Sequence, residues 1–175
     1  MHDTEDKQWW VIEWAKKEQL FVAQVCPALG LLATINPAKQ HDHYAPDILV
    51  DGKIADLKCQ QTPFFKARVR YNLDPQYVVT FNRKDYLRYQ RLYPGISIYF
   101  WLDWQVREMQ IGRSTFVVQP LADVWRVPFA QLATLIETSN ALLHAYQRRH
   151  DDLQGNAKES YLVDVRALEC LYQQG

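Results

Sequence analysis

The pair Asp51-Gly52, set between Ile48-Leu49-Val50 and Lys53-Ile54-Ala55, constrains this chain more than any other feature. It is a strong signal for a two-residue turn joining antiparallel strands, and the register of such a hairpin follows by counting. With Val50 opposite Lys53, Leu49 meets Ile54, Ile48 meets Ala55, and Asp47 falls across from Asp56 in a closely spaced cross-strand pair. Alternation sends Asp47, Leu49, Ile54, Asp56 and Lys58 to one face. Ile48, Val50, Ala55, Leu57 and Cys59 go to the other, the expected core face.

Two carboxylates side by side on a sheet repel unless a shared proton, a cation or a neighbouring lysine neutralises them. A divalent cation suits the pair, since Mg²⁺ takes oxygen ligands and is commonly held by one or two carboxylates plus substrate phosphate. Such a cation activates water and offsets charge on a phosphorane-like transition state, so the pattern points to phosphodiester chemistry. Lys58 shares the face of Asp56. Its ammonium is suited to orienting the attacking water, steadying a phosphate oxygen or moving a proton, and these roles stay open here.

Pro46-Asp47, eight residues, then Asp56-Leu57-Lys58 resembles the motif of the PD-(D/E)xK nuclease superfamily. The resemblance implies a restriction-endonuclease-like α/β fold with an αβββαβ core, a mixed central sheet flanked by helices, and here a C-terminal helical and strand extension. It implies a metal-dependent nuclease, most simply a DNA endonuclease using Mg²⁺, with Mn²⁺ an alternative. Asp47 and Asp56 would hold the metal, and a helix before the hairpin would add an acid. The segment from Gln8 to Gln24 lacks Gly and Pro and repeats Trp10, Trp14, Phe21 and Val25 at helical spacing after the Asp3/Thr4 capping region. Within it the resemblance points to Glu13 as third acid and metal ligand. Gln60, on the Lys58 face, takes the place of the polar residue that often follows the lysine in that superfamily.

The 175 residues suit one domain, with the core over about 5–105 and the extension over about 106–175, and 48% hydrophobic residues can fill it. Twenty acidic and twenty basic residues cancel, so nucleic-acid contact has to be local. The densest basic cluster, Lys66, Arg68 and Arg70 with Tyr71 beside Phe64 and Phe65, suits a phosphate backbone with rings for stacking. A solvated loop or short helix face fits it equally. Arg83, Lys84, Arg88 and Arg91 repeat as on an exposed helix. His41-Asp42-His43 makes a weak zinc pattern, and His43 falls on the Asp47 side if the strand reaches it, where it could contact phosphate or shuttle a proton. Three cysteines without a CxxC pair suggest a reducing compartment. A polar start and the lack of a long apolar run suggest a cytoplasmic protein without a membrane partner.

Further on, Gly30 to Ile35 is an expected strand and Pro37 to Pro46 a loop. Gln76 to Phe81 reads as a strand, Asn82 as an N-cap, Arg83 to about Leu92 as a helix stopped by Pro94-Gly95, and Ile96 to Leu102 as a buried strand. That strand-helix-strand run suggests parallel pairing across a crossover helix. Met109 to Val118 reads as a strand around Gly112. Pro128 opens a helix expected to run through Leu143 and Tyr146 to Arg148-Arg149, its apolar stripe read as core or as a homodimer face. Asp151 to Lys158 reads as a loop and Ser160 to Leu171 as a returning strand. The aromatic content is read mostly as packing. A catalytically silent nucleic-acid- or protein-binding module with the same fold is the alternative function, and RNA an alternative substrate.

Overall fold

The computed structural model describes residues 7–139, 143–145 and 159–172. It divides into two compact units, Met1–Cys59 and Gln60–Gly175, each combining helix and antiparallel sheet, so the chain is mixed α/β.

The first unit opens with α1 (Lys7–Leu20), which runs through a π-helical turn (Phe21–Val25) into α2 (Cys26–Ala28). The helix therefore passes Gln24. The Cys26 amide donates to the Phe21 carbonyl five residues back, widening the backbone just ahead of Pro27, whose ring would collide with a carbonyl in a regular α-helix. Termination is local. Gly30 takes φ +70°, its amide donates to Pro27 O and that of Leu31 to Cys26 O, which closes a Schellman motif.

Strands β1 (Ala33–Ile35), β2 (Ile48–Val50) and β3 (Lys53–Gln60) follow as an antiparallel meander, β1 pairing β2 and β2 pairing β3. The hairpin register is the counted one, with Val50 opposite Lys53, Leu49 opposite Ile54 and Ile48 opposite Ala55. Asp51 and Gly52 both take positive φ, 49° and 76°, as a type I′ turn requires. Asp51 also fixes β1, since its carboxylate accepts from the Leu32 amide and its own amide donates to Leu32 O. Ile48, Val50, Ala55 and Leu57 are buried, as expected of the core face.

In the second unit, β4 (Val78–Asn82) leads into α4 (Arg83–Leu92), capped by the Asn82 side chain accepting from the Lys84 amide. Then come β5 (Ser97–Asp103), a hairpin of β6 (Glu108–Ile111) and β7 (Ser114–Val117), β8 (Ala122–Pro128) and α5 (Phe129–Thr138). The described chain closes with β9 (Leu143–Ala145), β10 (Glu159–Asp164) and β11 (Glu169–Tyr172). The short helix α3 (Lys66–Tyr71) precedes them all.

Four expectations fail here. β4 and β5 are not parallel neighbours: β4 pairs antiparallel with β10, and β5 antiparallel with β8, so α4 connects strands of different ladders. The segment around Gly112 is two strands, because Gly112 takes φ +62° and reverses the chain. The helix opened by Pro128 ends at Thr138, where Thr134, Thr138 and Ser139 each turn a hydroxyl onto a carbonyl four residues back. Leu143 then lies in a strand beside β10. Similarly, the C-terminal strand is split into β10 and β11 by a 3₁₀ turn at Val165–Ala167. Tyr146, Arg148, Arg149 and the loop expected over 151–158 lie outside the described residues, as does the Asp3/Thr4 cap. Aromatic side chains pack into the core of this unit beside buried Val78, Ile96, Ile98, Leu102 and Leu132, with Phe81 edge-on to Phe100, Tyr86 against Phe129 and Tyr161, and Tyr89 edge-on to Phe129.

Candidate functional site

The acids on the first unit's hairpin are held by backbone as well as by side chains. Asp47 precedes β2, and its carbonyl accepts from the Asn36 amide, continuing the β1–β2 pairing by one step. Its Oδ2 accepts from the Leu57 amide at 3.2 Å, so the carboxylate reaches across the hairpin to β3. Asp56 is 2% exposed. Burial lifts its carboxyl to about 6. The Lys58 ammonium opposes that lift, while the Asp47 carboxylate adds to it by charge and by a hydrogen bond between the two carboxyls.

Lys58 Nζ stands 2.6 Å from Asp56 Oδ2. The ammonium compensates the charge of this buried oxygen, which accepts no hydrogen bond of ordinary geometry.

A second lysine enters from the loop. Lys39 Nζ is 2.5 Å from Glu18 Oε1 and 2.8 Å from Asp47 Oδ1, bridging helix and hairpin. Burial pulls its ammonium down, but the hydrogen bonds to Asp47 and Glu18 outweigh that and hold it above the usual lysine value. The carrier is a 3₁₀ turn, Pro37–Gln40, anchored by Asn36. That side chain accepts from the Ala38 amide at 3.1 Å and donates to Pro46 O at 2.8 Å, spanning the base of the loop. Nearby, burial raises the Cys59 thiol to about 12; Lys17 opposes the rise, while Asp47 and Glu18 add to it.

The structure places the two acids of the helix differently. Glu13 pairs with Lys16 on the exposed side of α1, whereas Glu18, 4% exposed, shares Lys39 with Asp47. The signal was present in the sequence. Glu18 stands four residues after Trp14 and three before Phe21, an acid inside the apolar stripe, while Glu13 stands beside it. Lys39 had no comparable signal, being one residue of a loop.

Gln60 ends β3, and its amide donates to Thr62 O at 3.0 Å. His43 does not extend β2, which starts at Ile48. It lies in an exposed turn with its ring against Tyr44. Lys66, Arg68 and Arg70 are exposed on α3 of the second unit, so the basic cluster is a short helix face. Arg83 pairs with Glu159, and Arg88 with Asp85.

Glu18, Asp47 and Asp56 thus stand with two ammoniums, Lys39 and Lys58, among them. Three carboxylates against two ammoniums leave one negative charge if all ionise. Among the described residues no group of three or more His, Cys, Asp or Glu side chains is gathered as a metal site; Asp47 and Asp56, with the buried Asp56 Oδ2, supply carboxylate oxygens of the kind a divalent cation takes, and Glu18 reaches them only through Lys39. No described helix is long and apolar enough to cross a membrane. No protein-family model, curated protein or solved structure matches this chain.

Proposed function

We propose that this chain is a metal-dependent nuclease that hydrolyses phosphodiester bonds, with DNA as substrate and Mg²⁺ or Mn²⁺ as cofactor, cutting as an endonuclease. The observation that carries the reading is the pairing of Asp47 with a buried Asp56 held above its ordinary value, with Lys58 beside Asp56 and Glu18 joined to Asp47 through Lys39. Asp47 and Asp56 would hold the cation, with Glu18 as third acid in the place expected of Glu13. Bound there, a divalent cation eases loss of a proton from water and offsets charge on phosphate. In the reaction the water oxygen bonds to phosphorus as one P–O ester bond breaks. The water gives up a proton and the departing oxygen finishes with one. Lys58, kept beside Asp56, is placed to donate to a phosphate oxygen or to the attacking water. Lys66, Arg68 and Arg70 supply exposed charge for the nucleic-acid backbone.

One observation favours a second reading, a catalytically silent binding module. Lys39 provides Glu18 and Asp47 with a cation of the protein's own, so the fold does not depend on metal to compensate them. Supercoiled plasmid and single-stranded DNA, each with Mg²⁺, Mn²⁺ or EDTA, separate the two. Metal-dependent cutting that falls on the order of hundredfold or more in Lys58→Ala supports the nuclease. DNA binding that ignores both metal and Lys58→Ala, with no cutting, supports the module.

A further inference from the structure

The ammonium of Lys39 stands 2.5 Å from Glu18 Oε1 and 2.8 Å from Asp47 Oδ1. Those are two of the oxygens that a divalent cation at this site would need. Asp47's other oxygen already accepts from the Leu57 amide, and Asp56 Oδ2 faces Lys58. A second positive charge brought to Glu18 and Asp47 therefore meets an ammonium within hydrogen-bonding distance of the same ligands, and like charges that close repel strongly in a half-buried setting. The two lysines differ in what carries them. Lys58 lies within β3, a continuous strand from Lys53 to Gln60. Lys39 belongs to a turn whose ends are anchored by Asn36 and the buried Ala45-Pro46, while Pro37, Ala38 and Gln40 to Tyr44 are exposed. That turn has solvent into which it can carry the side chain.

We propose that Lys39 is a built-in rival of the divalent cation: it bridges Glu18 and Asp47 until metal displaces it, so this one side chain sets the metal affinity of the site. The inference rests on the metal-dependent reading above and goes beyond it by assigning Lys39 a regulatory part that is neither ligand nor catalyst. A clamp of this kind keeps the site closed to metal at low concentration while the acids remain compensated.

The test is a Mn²⁺ titration of the full chain, followed by the paramagnetic resonance of free Mn²⁺, for wild type, Lys39→Gln and Lys39→Arg. Glutamine retains a donor for the two carboxylates without the charge, and arginine retains the charge. The expected result is affinity on the order of tenfold tighter in Lys39→Gln and near wild type in Lys39→Arg. Equal or weaker binding in Lys39→Gln, with wild type binding normally, overturns the rivalry and leaves the nuclease reading standing. Absence of Mn²⁺ binding in both wild type and Lys39→Gln overturns both. Should Lys39→Gln fail to fold, amide exchange of wild type over residues 38–42 decides. Faster exchange at saturating Mn²⁺ supports displacement of the turn, and unchanged or slower exchange overturns it.

Discussion

Replacing Asp56 by Asn should make the metal-free protein more stable at neutral pH, and the gain should vanish in acid. The carboxyl has an ordinary value of 3.8 and reaches about 6 in the folded chain. The folded state therefore binds this proton more tightly than the unfolded state does. Its stabilising contribution is complete below about pH 4 and is lost as pH rises through about 6. Above that range, keeping the buried carboxylate ionised costs about 3 kcal/mol. Asn removes that cost with nearly the same shape. It also removes a partner of Lys58, but that attraction is already contained in the shift of Asp56, and the Lys58 side chain, 23% exposed, can turn to water. The gain is about 3 kcal/mol at about pH 8, or about 9 °C in Tm for a chain of this size. Urea unfolding in EDTA, followed by tryptophan fluorescence, measures it against wild type at each pH. A variant less stable than wild type at about pH 8, or a gain that persists unchanged at about pH 4, refutes the account of Asp56 as a buried acid held against its preference.

Two further substitutions test how the site is held. Asn36→Ala removes the cap of the Lys39 turn and leaves the buried Pro46 carbonyl without its side-chain donor, so urea unfolding should show a loss of about 2–3 kcal/mol. A loss below about 0.5 kcal/mol would mean that the loop is anchored by other contacts. Gly52→Ala should cost about 1 kcal/mol from backbone conformation alone, because φ is +76° and an added Cβ meets no atom within 4 Å. Gly52→Asn should recover much of that, since Asn tolerates the left-handed region. Equal stability of Ala and Gly would argue against a strained turn.

The hairpin was legible because everything that fixes it is local: a turn dipeptide, two short apolar runs and a period of two. The same holds for Asn82 and α4, where cap and helix adjoin in sequence. What escaped depends on distant partners. β4 takes its neighbour from β10, nearly eighty residues on, and no pattern within β4 announces that choice. Lys39 acquires meaning only when the loop folds back over Glu18 and Asp47. The helix acid was an intermediate case. Hydrophobic spacing marked the stripe, and Glu18 lies on it, but a buried charge inside a stripe is intelligible only once its lysine is known.

The π turn of the first helix gives the choice between those acids a mechanical basis. Each residue of an α-helix advances the azimuth by about 100°. An extra residue accommodated at Phe21–Val25 therefore sets the stretch carrying Glu18 out of phase with the stretch carrying Cys26 and Pro27. Glu18 is aimed by that phase as well as by its place in the chain. Gain or loss of one residue in the turn acts as a dial, bringing a different helix position to face Lys39 while the hairpin sequence stays untouched. Chains that share this hairpin but not the π turn would carry the helix acid at another offset, so column-by-column alignment of the helices would pair residues that do not correspond in space.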